Sequence, residues 1–212
     1  MEKASTKISL FLSLVVLVML IIVIVRLAPT LSSEGSSNDF RPLDIEVEFL
    51  NGTTPRQQAY VYEQVRLIVP TIITPEMNAL DRQLAIHYWL IDNLEYDHTG
   101  KYIDAYSALT VGKTVCGGYA TLYSLMLAEA GIESKVVTGK NIHNPDPLGH
   151  AWNLVKIDGK WYHADATWAD REGRELLYFN RSDADFDRKG YYWDRSKYPK
   201  APSNMTLHLK KS

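Results

Sequence analysis

Two strand-like runs, His150 to Ile157 and Lys160 to Thr167, are joined by Asp158-Gly159, and this stretch constrains the fold more tightly than any other. Asp-Gly between apolar-rich runs signals a two-residue hairpin turn. Such a turn sets Ile157 opposite Lys160, which places Trp152 opposite Asp165 and His150 opposite Thr167. Side chains alternate along a strand, so His150, Trp152 and Leu154 share a face with Thr167, Asp165 and His163. His150 and Asp165 become diagonal neighbours, with Cα atoms roughly 7–8 Å apart. A one-residue slip would turn every side chain to the other face.

The chain holds a single cysteine, Cys116, in Val115-Cys116-Gly117-Gly118-Tyr119-Ala120. One thiol cannot form an internal disulfide, so its reactivity becomes the question. Gly117 to Ala130 has almost no polar face and reads as a buried helix, closed by Gly131. A thiol at a helix N-terminus meets unpaired N–H groups and the positive dipole end, which favour the thiolate. Gly117 and Gly118 carry no side chains to block approach, and the amides there can hold an oxyanion. A thiol, an imidazole and a carboxylate in the order Cys116, His150, Asp165 are the parts of a nucleophile, base and orienter system. The bland reading of a free cysteine is a small buried apolar residue. His163 is the alternative base, on the same face as His150 but deeper in the hairpin. Asp165 is expected inside a strand, where aspartate is depleted and needs a partner such as a histidine N–H.

Close Cys or His pairs of the zinc-binding kind are missing, so no metal or other cofactor is expected. Asp183, Asp185 and Asp187 resemble the start of a calcium loop, but Arg188 stands where the turn glycine belongs. Asn51-Gly-Thr and Asn204-Met-Thr match the N-glycosylation pattern.

Elsewhere the pattern is coarser. Ile8 to Val25 is an unbroken run of apolar residues and serines. At about 1.5 Å per residue it nearly spans a bilayer core of about 30 Å. The run is long for a signal peptide, and Arg26-Leu27-Ala28-Pro29 is a poor cleavage site. An uncleaved anchor over residues 1–27 is therefore preferred to a cleaved signal peptide. Lys3 and Lys7 precede the run, which puts the N-terminus in the cytoplasm and the rest outside. Residues 28–40 are Ser-rich and read as a flexible stalk, and residues 41–212 as the domain. Residues 1–27 remove three of the 23 basic and one of the 25 acidic residues, leaving a mildly acidic domain with no basic field for nucleic acid. Leu43 to Leu50 alternates like a half-buried strand. Thr54-Pro55 opens a helix to about Leu67, and Thr74-Pro75 a second to about Asn93. The second carries an apolar stripe of Met77, Leu80, Leu84, His87 or Tyr88, Ile91 and Leu94, with His87 as a core residue. Ser134 to Thr138 reads as a short strand and residues 141–148 as a loop.

Four blocks together resemble the transglutaminase-like superfamily, and within it the microbial transglutaminase-core proteins. They are Ala105-Tyr106-Ser107-Ala108-Leu109, Gly112 to Ala120 around Cys116, His150-Ala151-Trp152-Asn153, and Trp161 to Trp168 around Asp165. The similarity runs from about Met77 to about Ser182. It implies a papain-like α+β fold, with a buried helix carrying the Cys packed on an antiparallel sheet, and His and Asp on adjacent strands. It implies Cys116 as nucleophile, His150 as base and acid, and Asp165 as orienter. Superfamily members include cross-linkers, peptidases, amidases and inactive scaffolds.

The expected activity is acyl transfer from a peptide or protein amide, to water or to an amine. The rival is a catalytically idle surface module that binds a peptide or wall polymer in an aromatic groove of Trp152, Trp168 and Tyr119. Substrate and oxyanion candidates are Tyr106, Gly117 and Trp152; a plain core tyrosine is the alternative for Tyr106.

Overall fold

A computed structural model of the chain describes residues 53–143, 149–172 and 176–206. The expected anchor over residues 1–27, the stalk at 28–40, the strand at 43–50 and the Asn51 sequon lie outside the described residues, as does most of the 141–148 loop. Among the described residues, no helix is long and apolar enough to cross a membrane.

Helix α1 spans Pro55–Ile72. Thr54 and Gln57 form a reciprocal capping box and Pro55 takes the first turn, as the sequence suggests. The helix runs past Leu67 and carries Pro70 within it. Val61, Val65 and Val69, four residues apart, form its buried edge. Helix α2 is Ala79–Asn93, capped by Asn78 rather than Thr74. Thr74-Pro75 instead makes a turn closed by the Met77 N–H on the Thr74 carbonyl at 3.1 Å. The buried face of α2 is Arg82, Gln83, Ile86, His87 and Leu90. His87 is a core residue there, while Leu80, Leu84 and Ile91 are only half-buried. A polar pair displaces the expected stripe. Gln83 and Asn180 exchange two amide hydrogen bonds of 2.8 and 2.7 Å, which removes the cost of burying either one alone.

The segment from 95 to 115 sets the start of the central helix. Strand β1 (Glu95–Tyr96), helix α3 (Ala105–Val111) and strand β2 (Lys113–Thr114) form a small loop in which β1 and β2 pair in parallel. Gly112 ends α3 with φ 73°, a conformation open to glycine. The Val115 N–H donates to Tyr102 O at 3.0 Å. Helix α4, Cys116–Glu129, begins at once and is buried nearly all round. Its end is a Schellman motif, with Gly131 N–H on Ala128 O and Ile132 N–H on Leu127 O.

Four antiparallel strands follow, in the spatial order β5-β4-β3-β6: β3 Ser134–Asn141, β4 His150–Ile157, β5 Lys160–Ala164 and β6 Tyr191–Trp193. Asp158 (φ 50°) and Gly159 (φ 76°) make the two-residue turn, and Ile157 pairs Lys160 as expected. The register holds as far as Asn153 opposite Ala164. There the strand stops. Residues 166–172 form helix α5, so Asp165 lies at the junction and not within a strand, and Thr167 does not pair with His150. Helix α6, Asp183–Arg188, and a 3-10 turn at Arg195–Lys197 flank β6.

The architecture is α+β, and β4 is buried along both faces. Val155 and Ile157 join the helical core of α1, α2 and α4. Trp152 and Leu154 join an aromatic cluster with Trp168, Tyr178, Phe186 and Tyr191. Two polar ties fix α4 on the sheet: Asn153 Nδ2 donates to Ala120 O at 2.9 Å, and the Ser124 and Ser134 hydroxyls are 2.7 Å apart.

The seat of α4 depends on Gly118. A Cβ there would lie 1.9 Å from Thr114 Oγ1 and 2.8 Å from Thr114 Cβ, an atom that no rotamer can move away. A Cβ at Gly117 would meet only the Ile103 carbonyl oxygen at 3.7 Å. Gly118→Ala is therefore expected to cost about 1–3 kcal/mol of stability and to displace the helix start, whereas Gly117→Ala leaves the melting temperature close to wild type. Denaturant unfolding of the two variants checks the contrast.

Candidate active site

Cys116 is the first residue of α4, preceded by Val115, which makes no side-chain cap. The Gly118 and Tyr119 amides both turn back to Val115 O, at 3.0 and 3.2 Å. The amides of Cys116 and Gly117 take no such partner among the described residues. The first turn thus presents two N–H groups beside the sulfur. The thiol packs on Ala120 of its own helix and Ala151 of β4, and is 8% exposed. Gly117 is half-buried.

His150 opens β4, directly after Gly149, whose φ of 93° turns the chain into the strand. Its ring is buried and stacks on Trp152 at a centroid distance of 5.8 Å, with planes 21° apart. Trp168 and Tyr191 enclose it further, at 6.4 and 5.7 Å. Nε2 of His150 lies 2.6 Å from Asp165 Oδ2. The other ring nitrogen, Nδ1, is buried and makes no hydrogen bond. Burial alone would lower the basicity of this imidazole. The Asp165 charge and hydrogen bond, reinforced by Cys116, prevail and push its pKa up from 6.5 to about 9. With Nε2 bound to the carboxylate, Nδ1 is the nitrogen left for the thiol, whose effect on the ring is the contribution of Cys116.

Asp165 is fully buried. Oδ2 also accepts the Tyr191 hydroxyl at 2.7 Å, and Oδ1 accepts the Trp168 amide at 3.1 Å. That last bond has the geometry of a helix N-cap, three residues ahead of its donor. The aspartate is tolerated because it begins a helix, and because three donors replace the water it loses.

His163, the alternative base, has both nitrogens engaged. Nδ1 accepts from Trp152 Nε1 at 2.9 Å, and Nε2 lies 2.9 Å from Asp183 Oδ1. Burial lowers its pKa despite Asp183, so the ring is a neutral Nε2–H tautomer. It anchors the indole on which His150 stacks.

Two sequence expectations need correction. Trp152 is 1% exposed and forms the wall behind His150, out of reach of a substrate. Trp168 and Tyr119 are buried too, so these three aromatics line no open groove. Tyr119 donates to Asp170 Oδ2 at 2.7 Å. Tyr106 lies on α3 with its ring edge-on to Tyr60 at 5.5 Å and packs, partly buried, on the helical core, the packing expected of the alternative core tyrosine. Gly117 does stand beside the thiol. Tyr191 was not singled out by sequence. It follows Gly190 in an aromatic segment, and nothing local marks it as a partner of Asp165.

Among the described residues, no group of three or more His, Cys, Asp or Glu side chains gathers as a metal site would require. Asp183 binds His163, and Asp185 is surrounded by Arg181, Arg188 and Lys189. The arrangement around Cys116 can pass a proton between a thiol and an imidazole held by a carboxylate, next to two free amides.

Comparison with known proteins finds similarity over the segment that holds these residues. Positions 66–166, which include Cys116, His150 and Asp165, match the model of the transglutaminase-like superfamily. Kyphoscoliosis peptidase of Mus musculus is 29% identical over 149 residues, 64% of this chain and 22% of that protein. Its Homo sapiens counterpart is 30% identical over 115 residues, 48% of this chain and 17% of that protein. The chain spans about a fifth of the length of these curated relatives. A solved structure of a candidate cysteine protease from Cytophaga hutchinsonii aligns with a TM-score of 0.44 and 21% identity, over 57% of this chain and 45% of that one. The blocks around Cys116, His150 and Asp165 all lie inside the segment, residues 66–166, in which this chain is similar to the transglutaminase-like superfamily.

Proposed function

We propose that the chain is a thiol enzyme that transfers the acyl group of a peptide or protein amide, with Cys116 as nucleophile, His150 as acid and base, and Asp165 as orienter. The observation that carries this reading is the buried Asp165–His150 pair at 2.6 Å, with the second imidazole nitrogen unbonded on the side of a helix-terminal cysteine. The match to kyphoscoliosis peptidase favours water as the acceptor, hence hydrolysis. Burial of Trp152, Trp168 and Tyr119 counts against the idle binding module, because its aromatic groove is missing.

In the first half-reaction, the proton shared by Cys116 and His150 Nδ1 rests on the imidazole, the imidazolium that the folded state favours, and the sulfur attacks the carbonyl carbon. The negative oxygen of the tetrahedral intermediate lies against the amides of Cys116 and Gly117. Imidazolium then protonates the departing amine as the C–N bond breaks, leaving a thioester. In the second half-reaction, water loses a proton to His150 and attacks the thioester. The C–S bond breaks and the thiol is restored. Asp165 keeps its charge throughout and holds the ring by Nε2.

The N-terminal run Ile8–Val25, with Lys3 and Lys7 before it, supports an anchored enzyme whose domain faces away from the cytoplasm. Protease treatment of intact cells is expected to release a fragment that begins within residues 28–40. A mature chain that begins near Ala28 and leaves the membrane untreated would mean a cleaved signal peptide instead.

Cys116→Ala is expected to abolish peptide hydrolysis with the fold intact, and Asp165→Asn to retain a trace, with losses that do not add. His150→Ala slows alkylation of Cys116 by iodoacetamide at neutral pH by about tenfold or more, in line with loss of an adjacent base. His163→Ala lowers stability and leaves the alkylation rate within about twofold. Equal turnover by wild type and Cys116→Ala, measured over a panel of peptide amides, would overturn the reading.

A further expectation concerns pH. The folded state raises the His150 pKa, so folding favours the imidazolium. The resulting stability is fully present below the ordinary value of 6.5 and is lost as pH rises through about 9. The melting temperature of the wild type is therefore expected to fall across that window. His150→Gln flattens the fall, as calorimetry at stepped pH can show.

A further inference from the structure

Asp165 Oδ2 has two donors, and only one belongs to His150. The second is the hydroxyl of Tyr191, at 2.7 Å. Tyr191 lies on β6, and Asp165 follows β5, at the opposite edge of the sheet. Between them β4 begins with His150, whose partner on β3 is Gly139. Tyr191 pairs with Asn141, two residues further along β3, and its ring reaches across the end of the sheet to the carboxylate. The ring is fully buried against Phe186 (4.2 Å), edge-on to Trp152 (5.1 Å) and beside His150 (5.7 Å). Phenylalanine would fill this space as well, so the packing does not explain the hydroxyl. An unpartnered buried hydroxyl is costly, and this one is directed at the oxygen that binds the imidazole.

We infer that Tyr191 is a positioning residue of the site: by donating to the oxygen that also binds His150, it fixes the rotamer of Asp165 and moderates how strongly the carboxylate holds the imidazolium. This inference rests on the triad reading above. A second donor on one oxygen draws negative charge toward itself and leaves less for the first. Without it, Asp165 binds the His150 proton more tightly, and the ring returns that proton less readily to the leaving amine. The phenol stays protonated through the working range, because burial and the Asp165 charge both oppose its ionisation. Tyr191 is therefore a donor at every pH at which His150 titrates. Asp165 and the Tyr178 phenol are the ionisable groups acting on Tyr191, with the neutral Asn141 amide beside it. Asp165 and Cys116 are those acting on His150.

The test is Tyr191→Phe in the full chain, with the His150 titration followed by NMR of the imidazole and assigned by its loss in His150→Gln. The expected result is a midpoint raised by about half a pH unit or more. The melting temperature should fall by several degrees, in line with loss of one of three donors to a buried carboxylate, and kcat for an amide substrate should fall several-fold at nearly constant KM. In an Asp165→Asn background the same substitution should leave the midpoint unchanged. Should Tyr191→Phe fail to fold, a ring-fluorinated tyrosine at position 191, a stronger donor of the same shape, should lower the midpoint. A folded Tyr191→Phe protein with an unmoved His150 midpoint, or a fluorotyrosine protein with none, would reduce Tyr191 to packing. The titration needs no turnover, so an enzyme inactive on every amide would defeat the proposed reaction without deciding the role of Tyr191.

Discussion

A carboxylate without water at the end of a strand is the constraint on which this structure turns. Asp165 is completely buried and survives there because three donors reach it from three elements: His150 from β4, Tyr191 from β6 and the Trp168 amide from α5. Each hydrogen bond to a charged group is worth about 1.5–3 kcal/mol, and loss of one partner of a buried ion pair typically costs about 3–5 kcal/mol. The strand cannot slip, the helix cannot start elsewhere and the edge strand cannot detach without exposing that cost. The same three bonds aim the imidazole. Fold stability and site geometry thus share one set of contacts.

The thiol reaches the imidazole by a separate route. Helix α4 is buried on nearly every side, so hydrophobicity alone would let it rotate or slide. Its position comes from polar ties and close approaches: Asn153 to the Ala120 carbonyl, Ser124 to Ser134, and Gly118 pressed on Thr114. Behind His150, a chain from Trp152 to His163 to Asp183 holds the indole in place. These contacts surround a ring whose charge they barely touch, leaving Asp165 and Cys116 as the groups that act on it.

Much of this was legible in the sequence, and the physical reasons are particular. Asp158-Gly159 allows positive φ at both turn positions, so the register of β4 on β5 could be counted outward from it. Gly131 marked the end of α4 because a left-handed residue closes a Schellman motif. The count failed at Asp165, where a capping side chain converts strand to helix, since alternation carries no sign of a helix that begins two residues later. It failed again at Thr74, where Thr-Pro opens a turn, and at Gln83, whose burial needs Asn180 nearly a hundred residues away. Trp152 looked available to substrate because aromatic residues near a site suit that role, but only packing shows which side of it is covered.

The sequence by itself determined the local events. They are one thiol at a helix start, a hairpin of known register, and a histidine and an aspartate close enough along that hairpin to meet. Each follows from backbone preferences over a few residues. Tertiary structure alone decided which histidine keeps a free nitrogen, which aromatics are walls, and that Tyr191 shares the carboxylate with His150. Those outcomes depend on which groups from distant segments compete for the same buried oxygen or nitrogen, and that competition exists only once the sheet has closed.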